Sequence, residues 1–196
     1  LKGRLDDPCR AELVEYWRPD LSRRSSLSFP DAAEQMREMF LTNLKLHLRS
    51  DVPLGAALSG GIDSSAIVCG IRKLEPSAEL HTFCYAPKGY HYNEENWARM
   101  AGDHVGAHQH FVDLQRGDFV RDIDYMLEVQ EDPFHGVSHY ASNRVFGFAR
   151  EKGIIVLLNG QGGDEILAGY PMYFGVRLAG AIARREWKLV TKWLLN

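Results

Sequence analysis

The residues best suited to chemistry lie in a short glycine- and serine-rich segment, residues 59–65, which reads Ser-Gly-Gly-Ile-Asp-Ser-Ser. Its two glycines let the backbone approach a ligand closely, and the helix predicted to follow offers unpaired N–H groups at its start. The hydroxyls of Ser59, Ser64 and Ser65 add further hydrogen-bond donors. This combination of residue types is typical of a loop that binds phosphate.

Asp63 is the acidic residue of this segment. A carboxylate beside a phosphate repels it unless a divalent cation lies between the two, so Asp63 predicts a magnesium ion. The segment lacks the Gly-Lys-Ser/Thr ending of a Walker loop and the Gly-x-Gly-x-x-Gly pattern of a dinucleotide-binding loop. An ordinary tight turn between a strand and a helix is the alternative, although such a turn needs no carboxylate among its glycines and serines.

A second glycine-rich segment, residues 159–165, reads Asn-Gly-Gln-Gly-Gly-Asp-Glu and follows an apolar stretch. Its acidic residues, Asp164 and Glu165, offer the hard oxygen ligands that suit magnesium. We predict that Asp164 shares the metal with Asp63. Glu165 is less specific, because an acidic residue in the first turn of a helix also interacts favourably with the helix dipole.

Apolar runs and helical periodicity alternate along the chain and predict an α/β fold, a Rossmann-like parallel sheet with helices on both faces. Ser28 and Asp31 predict a capped helix start. The predicted strands are residues 51–58, 79–86, 109–114 and 154–158, and the helices that follow them are predicted at 64–74, 93–106 and around 119–127 and 141–149.

Each glycine-rich segment follows a predicted strand. Open parallel sheets bind ligands at the carboxyl ends of strands where the direction of winding reverses. With the first strand central, the second and third add on one side and the fourth on the other, which gives the order 3-2-1-4. Residues 59–65 and 159–165 are then expected to face one crevice.

Together, the two segments resemble the signatures of the asparagine synthetase (glutamine-hydrolysing) family, in its C-terminal ATP-pyrophosphatase domain, over roughly residues 16–173. The resemblance implies ATP and Mg²⁺, with residues 59–65 around the β- and γ-phosphates. It places Leu58 and Tyr85 beside adenine and ribose, although Tyr85 is equally explained as a half-buried strand aromatic. The nucleotide-binding residues implied are Leu58, Ser59, Gly60, Gly61, Asp63, Ser64, Ser65, Tyr85, Asn159 and Gly160.

A loop around the β- and γ-phosphates leaves the α-phosphorus open to attack, so pyrophosphate is the expected leaving group. In the resembled family a substrate carboxylate attacks there to give an acyl-adenylate. Ammonia then displaces AMP to form an amide, most simply asparagine from aspartate. The catalytic residues implied are Asp63, Ser64, Asp164 and Gln161.

Gln161 stands where the asparagine-forming members commonly have glutamate. A neutral amide cannot supply the charge that would bind the amino group of aspartate or move a proton during ammonia attack. One interpretation is that this protein binds aspartate differently, or that aspartate is not its natural acceptor. The alternative is that a neighbouring acidic residue, Asp164, Glu165 or Glu131, supplies the charge. Residues 131–134, Glu-Asp-Pro-Phe, resemble a segment that lines the pocket of the family and are equally explained as a loop turn.

Residues 1–30 are predicted to be a lead-in segment and residues 31–196 the ATP-pyrophosphatase domain. The resembled family also carries an N-terminal glutaminase domain and C-terminal helices that close the active site. No glutaminase domain is expected in this chain, the synthetase domain is expected to be truncated at its C-terminus, and the isolated chain is expected to be inactive. Ammonia would come from a glutaminase domain or subunit, and a homodimer is compatible with the sequence.

The composition excludes several other functions. A net charge of -3 and a sequence pI near 6.3 provide no basic stripe for nucleic acid. The longest aliphatic run, residues 154–158, is far below the ~20 residues of a membrane helix, so a cytoplasmic protein without a membrane partner is expected. Three cysteines without Cys-x-x-Cys spacing indicate neither a disulfide framework nor a zinc site, and Cys69 and Cys84 are expected in the core.

The eight histidines are poorly spaced for a metal site. His108 and His110 lie at the start of a strand on one face, while His135 and His139 flank Gly136, where a helix is not expected to have begun. A His-x-x-x-His pair ligates zinc only on an established helix and with a third ligand. The spacing therefore predicts no zinc site.

Two other functions fit the same residues. A related amidotransferase or cyclase would activate another carboxylate, as in β-lactam or cyclic-peptide formation. A non-catalytic nucleotide-binding remnant is the alternative from a different class of protein. The presence of Asp63, Ser64 and Asp164 favours catalysis.

Overall fold

The computed structural model of the chain describes residues 2–4, 7–12, 14–20, 25–89, 93–134 and 136–195. The chain divides into two compact units, Leu1–Met39 and Phe40–Asn196. The second unit holds the parallel sheet and both glycine-rich segments.

The first unit contains an antiparallel strand pair, β1 (Lys2–Arg4) and β2 (Asp7–Glu12). The sequence analysis of the lead-in segment does not predict this pair, because β2 shows none of the apolar alternation typical of a strand. Helix α1 (Phe29–His47) starts as predicted. The Ser28 hydroxyl accepts a hydrogen bond from the backbone N–H of Asp31 at 3.3 Å and donates to its carboxylate at 2.6 Å.

Four parallel strands form the sheet: β3 (Leu54–Ala57), β4 (His81–Tyr85), β5 (His108–Val112) and β6 (Val156–Leu158). Their order is β5-β4-β3-β6, which confirms the predicted order 3-2-1-4. The chain winds outward from β3 to β5 and then returns to add β6 on the other side of β3. The direction of winding therefore reverses between β3 and β6.

The central strand β3 is built from small residues because its neighbours approach closely. A Cβ placed on Gly55 would lie 2.7 Å from the carbonyl oxygen of His81 and 3.2 Å from Cγ2 of Ile154. The strand is shorter than the predicted residues 51–58, since Pro53 has no N–H to donate to a neighbouring strand.

Helices cover both faces of the sheet, as predicted. On one face α2 (Ile62–Leu74) and α3 (Glu95–His104) pack together with the end of α1. On the other face lies α5 (Gly136–Glu151), which follows α4 (Arg116–Gln130). The first core includes Leu44, Ala56, Leu58, Val68, Leu80, Cys84 and Ala98, and the second includes Phe83, Val112, Val145, Ala149 and Ile154.

Two expectations are corrected. Helix α5 begins at Gly136, whose φ of 66° is accessible to glycine, so His139 lies on an established helix, while His135 lies outside the described residues. Cys84 is buried as expected, and burial raises the pKa of its thiol to about 12. Cys69 is exposed instead, because its position on α2 faces away from the sheet.

The last three described helices are α6 (Gly163–Leu167), α7 (Pro171–Ala183) and α8 (Trp187–Leu194). By length and composition alone, the stretch Gly163–Ala183 is apolar enough to cross a membrane, which is weak evidence. Ala168, at a φ of 57°, and the proline that opens α7 break this stretch into two helices. Each of them is shorter than the ~20 residues that a membrane span needs.

Candidate active site

The two glycine-rich segments meet where the winding of the sheet reverses. Ala56 of β3 pairs with Leu158 of β6, so the segments leave the carboxyl ends of adjacent strands. A Cβ placed on Gly160 would lie 3.0 Å from the Cβ of Asp63, and one placed on Gly163 would overlap the Asp63 carboxylate. The backbone of the second segment therefore packs directly on the first, and glycine at both positions permits this approach.

Two serine hydroxyls of the first segment form a closed hydrogen-bond circuit with the backbone. The N–H of Gly61 donates to Oγ of Ser59 at 3.2 Å, and Oγ of Ser64 donates to the carbonyl of Gly61 at 3.1 Å. Because Ser64 has a single hydroxyl proton, the 3.1 Å contact between the two hydroxyls is a donation from Ser59. The circuit fixes the shape of the loop, a role that the residue types alone did not indicate.

Helix α2 starts directly after this circuit, two residues earlier than predicted. Gly61 is its N-cap, and no side chain caps the helix. Intrahelical bonding begins with the N–H of Ser65, which donates to the carbonyl of Gly61 at 2.9 Å. The N–H groups of Ile62, Asp63 and Ser64 therefore have no capping side chain, and the positive end of the helix dipole adds to them. This is an arrangement that binds an anion.

Gly60 connects the loop to helix α3. Its φ is 83°, and a Cβ there would overlap the backbone of Trp97 and Ala98 in the first turn of α3. The first turn of α3 thus contacts the loop at Gly60. Sequence reasoning missed this contact, because a glycine required by a neighbouring helix looks the same in the sequence as one required by a ligand.

The three carboxylates of the site have different surroundings. In the part of the chain that the structure describes, neither Asp63 nor Asp164 pairs with a basic side chain. The Asp164 carboxylate lies against Gly169, where a Cβ would overlap it. Glu165 has a partner, since the hydroxyl of Tyr170 donates to it at 3.2 Å and the pKa of that hydroxyl is raised as a result.

This donor set fits a magnesium ion. Asp63 faces Gly163, the residue before Asp164, so the two half-buried carboxylates belong to backbone segments that touch. Carboxylates without a basic partner are hard oxygen ligands of the kind Mg²⁺ prefers, and the uncapped helix start beside them suits the phosphates with which Mg²⁺ is usually shared.

The other predicted nucleotide-binding residues lie at the same edge of the sheet. The side chain of Leu58 is 1% exposed, so it belongs to the core, and its N–H donates to the carbonyl of Phe83 at 2.9 Å. Tyr85 ends β4 and packs half-buried beside the second core. Asn159 accepts a hydrogen bond from the N–H of Gln161 at 3.1 Å through Oδ1, and the Gln161 side chain is exposed.

Residues 131–134 form the turn between α4 and α5. Glu131 ends α4 with a φ of 57°, and the ring of Phe134 packs edge-on against Phe119 at a centroid distance of 6.2 Å. These contacts account for the segment as a turn, and its role at a pocket stays a prediction.

The chain is similar to known proteins of one family. The asparagine synthase family model matches residues 35–193. The chain is 34% identical over 137 residues to the putative asparagine synthetase (glutamine-hydrolyzing) 2 of Methanocaldococcus jannaschii, which covers 70% of this chain and 26% of that protein. It is 32% identical over 186 residues to asparagine synthetase (glutamine-hydrolyzing) 2 of Arabidopsis thaliana, which covers 88% of this chain and 31% of that protein.

The chain thus spans 26% and 31% of the lengths of these two relatives. Among solved structures, the NH3-dependent NAD synthetase from Campylobacter jejuni aligns over 74% of this chain and 62% of that chain, with a TM-score of 0.45 and 14% identity.

Proposed function

The chain belongs to the asparagine synthase family, and from this premise we propose that it is the ATP-using domain of an enzyme that adenylates a carboxylate and converts it to an amide with ammonia. The observation that carries the proposal is the start of α2. Its first-turn N–H groups have no capping side chain. The backbone of Gly160 packs beside them, because a Cβ placed on Gly160 would lie 3.3 Å from the backbone nitrogen of Ser64. An anion fits this position, and ATP supplies one.

The positions of these residues support the following roles. The loop 59–65 would hold the β- and γ-phosphates, so that the α-phosphorus faces the substrate carboxylate and pyrophosphate leaves. The backbone of Asn159 and Gly160 would contact the nucleotide from the other side. Asp63 and Asp164 would hold Mg²⁺, which neutralises charge on the phosphate oxygens. Positioning and charge stabilisation would supply most of the rate enhancement.

The acceptor is aspartate in the simplest form of this proposal. Gln161 argues for a different acceptor, because its exposed amide carries no charge toward an α-amino group. Ammonia would come from a glutaminase domain or subunit. We further propose a cytoplasmic enzyme, with light scattering of the purified protein to decide between a monomer and a homodimer.

Calorimetric titration with ATP-Mg tests the nucleotide site. We expect binding by the parent chain and at least tenfold weaker binding by Asp63→Ala and Asp164→Ala. Asp51→Ala is the matched control, because that exposed carboxylate precedes β3 at the opposite end of the strand. Equal affinity in all four proteins would contradict the site.

Exchange of labelled pyrophosphate into ATP tests the chemistry separately from binding. In the full-length enzyme we expect the exchange to depend on a carboxylate substrate. The exchange rate is measured with aspartate and with a panel of other carboxylates. Both the parent and Gln161→Glu are assayed. Tight ATP binding without exchange on any carboxylate would favour a non-catalytic remnant. Efficient asparagine formation by the parent, with no gain in Gln161→Glu, would show that Gln161 does not set the acceptor.

A further inference from the structure

The outer edge of β5 is open in the part of the chain that the structure describes. β5 ends the strand order, and no described strand pairs with its other side. The N–H of His108 donates to the β4 segment at 2.8 Å, and the carbonyl of Val112 accepts from that segment at 2.8 Å. The main chain of a strand faces alternate sides residue by residue, so the N–H and C=O groups of Gln109 and Phe111 point away from β4. These groups can pair with a further extended chain.

A cavity of about 470 Å³ runs along this edge. Its strand side is formed by three consecutive residues, Phe111, Val112 and Asp113. Successive side chains of a strand point to opposite faces, so a cavity that touches all three lies at the strand edge and not over one face of the sheet. Its volume falls in the range of ligand-binding pockets.

Helix α5 forms the opposite wall of the cavity. Asn143, Gly147 and Glu151 lie four residues apart, in one row on the helix surface, and Phe148 lies in the next row. Gly147 leaves a gap in its row, because a Cβ placed there would contact nothing within 4 Å beyond its own stretch of helix. The gap beside the half-buried ring of Phe148 can receive an apolar side chain.

The two ends of the cavity carry opposite charges. Helix α5 leads into β6, which is parallel to β5, so α5 runs antiparallel to both strands. Phe148 meets the ring of His110 edge-on at a centroid distance of 6.1 Å. The earlier residue Arg144 therefore lies toward the carboxyl end of β5, and the later residue Glu151 toward its amino end.

The cationic end has hydrogen-bond donors to spare. Nη1 of Arg144 lies 3.7 Å from the Asp122 carboxylate, which is longer than a hydrogen bond. The half-buried amide of Asn143 has no hydrogen-bond partner among the described residues. Asp113 lines the same end, and its carboxylate accepts from the N–H of Lys88 at 3.2 Å and lies 3.7 Å from Nζ of that lysine. A carboxylate is the ligand group that a guanidinium and an amide donor bind best.

We propose that this cavity binds the carboxyl-terminal segment of a partner polypeptide, which adds to β5 as a further parallel strand. Its main chain would pair with the N–H and C=O of Phe111, and one apolar side chain would enter the gap at Gly147. The terminal carboxylate would lie at Asn143 and Arg144, which fixes the parallel direction. Main-chain pairing at a sheet edge together with a side-chain pocket is a general mode of peptide recognition.

This proposal does not depend on the nucleotide site, which lies between β3 and β6. Its tests measure peptide binding without ATP, so either proposal can fail without the other.

Binding of short peptides is the first test. The probes are an array of fluorescently labelled random-sequence tetrapeptides, each prepared with a free carboxyl terminus and as the carboxyl-terminal amide. Fluorescence polarisation should show that the parent chain binds free-acid peptides with an apolar residue. We expect about tenfold weaker binding of the matching amides, the cost of losing a hydrogen bond to a charged group. Equal binding of acids and amides would overturn the proposal.

Arg144→Gln should remove the preference for the free acid, lowering the affinity of each acid to that of its amide. Arg150→Gln is the matched control, because this exposed arginine is on the same helix and does not line the cavity. A preference for the free acid that persists in Arg144→Gln would contradict the placement of the carboxylate.

Gly147→Leu should fill the gap and weaken the binding of every probe at least tenfold. Gly175→Leu on α7 is the matched control, since a Cβ placed on that glycine also has nothing within 4 Å. Circular dichroism of each variant confirms that a loss of binding is not unfolding. Unchanged binding by Gly147→Leu, or no binding of any free-acid peptide by the folded parent, would overturn the site.

Hydrogen exchange followed by NMR tests the strand addition itself. The amides of His110 and Val112 are already paired with β4, so a bound peptide should slow exchange at Phe111, about tenfold or more, and leave those two unchanged. Protection of the Phe111 amide that rises with protein concentration in the absence of peptide would show that a second copy of the chain occupies the edge, and would overturn the proposal.

Discussion

At the scale of single residues, the hydroxyl circuit of Ser59 and Ser64 determines the shape of the loop 59–65, which we propose binds phosphate. Ser64 is 8% exposed, and its hydroxyl links the carbonyl of Gly61 to Ser59. In the enzyme that we propose, we expect the Ser64 hydroxyl to turn from the Gly61 carbonyl to a phosphate oxygen when ATP binds, so that Ser64→Ala lowers carboxylate-dependent pyrophosphate release about 10²–10³-fold, the usual cost of one preorganised donor. Steady-state pyrophosphate assays measure this.

Ser77→Ala is the control for this change, because it removes an exposed hydroxyl from the turn after α2. A Ser64→Ala enzyme as active as Ser77→Ala would show that the circuit is dispensable.

His110 gives the fold a dependence on pH. Its pKa is lowered in the folded chain, first by burial and then by His81, Lys152 and His108, so the unfolded chain binds more protons below the ordinary histidine pKa of 6.5. The free energy of unfolding should therefore be fully retained above about pH 6.5 and should decrease as the pH falls below it. Glu79 also faces this group through His81.

Urea denaturation between pH 8 and pH 5 measures this effect, with metal excluded by a chelator. We expect the unfolding midpoint of the parent to fall across this window more steeply than that of His110→Phe, which keeps the stacking on Phe83 without a titrating ring. Parallel slopes for the two proteins would contradict the assignment.

At the scale of elements, helix α3 and the loop contact each other at Gly60. We expect Gly60→Ala to destabilise the fold by about 2 kcal/mol or more, because the new Cβ meets both a positive φ and the backbone of Trp97. Gly61→Ala is the matched comparison, because Gly61 has a φ of −66°, which alanine adopts readily. A Cβ placed on Gly61 would approach only Oγ of Ser59, at a distance of 3.3 Å. Thermal unfolding should show a much larger loss for Gly60→Ala, and equal losses would refute the contact.

The elements also show what the sequence could predict. The alternation of apolar runs with helical periodicity predicted the four strands, their order and the meeting of the two glycine-rich segments, because these follow from general rules of winding. The hairpin β1–β2 was missed for lack of an apolar pattern, and Cys69 was misplaced because helical periodicity does not resolve which side of α2 it faces.

The candidate site was predictable to a similar degree. The glycines, serines and carboxylates at 59–65 and 159–165 predicted two segments facing one crevice, and the structure confirms that these segments meet. The hydroxyl circuit, the contact of Trp97 with Gly60 and the contact of Asp164 with Gly169 were not predictable, because they depend on backbone positions that differ by tenths of an ångström. The pairing of His81 with His108 depends on strand register, which spacing within one strand cannot reveal.

At the scale of the whole molecule, the two units differ in their contribution to the core. Every buried apolar residue that the structure describes lies at or beyond Leu44. We therefore expect a chain without residues 1–27 to keep its fold, with a melting temperature within about 5 °C of the parent, a change of roughly 1–2 kcal/mol at this size. Differential scanning calorimetry measures the change. A shortened chain that no longer unfolds cooperatively would show that residues 1–27 are required.

The pairing of β3 with β6 has a consequence for how the protein is made. Ala56 and Leu158 are neighbours in the sheet but are about a hundred positions apart in the chain. When the ribosome has added residues through β5, three strands have been synthesised while the β6-facing edge of β3 still lacks its partner. At about 5–20 residues per second, this edge waits several seconds for β6 and the segment after it. If ATP binds at the site that we propose, it can assist folding only after residue 165 has emerged, and until then the nascent chain must protect an open strand edge without help from a nucleotide.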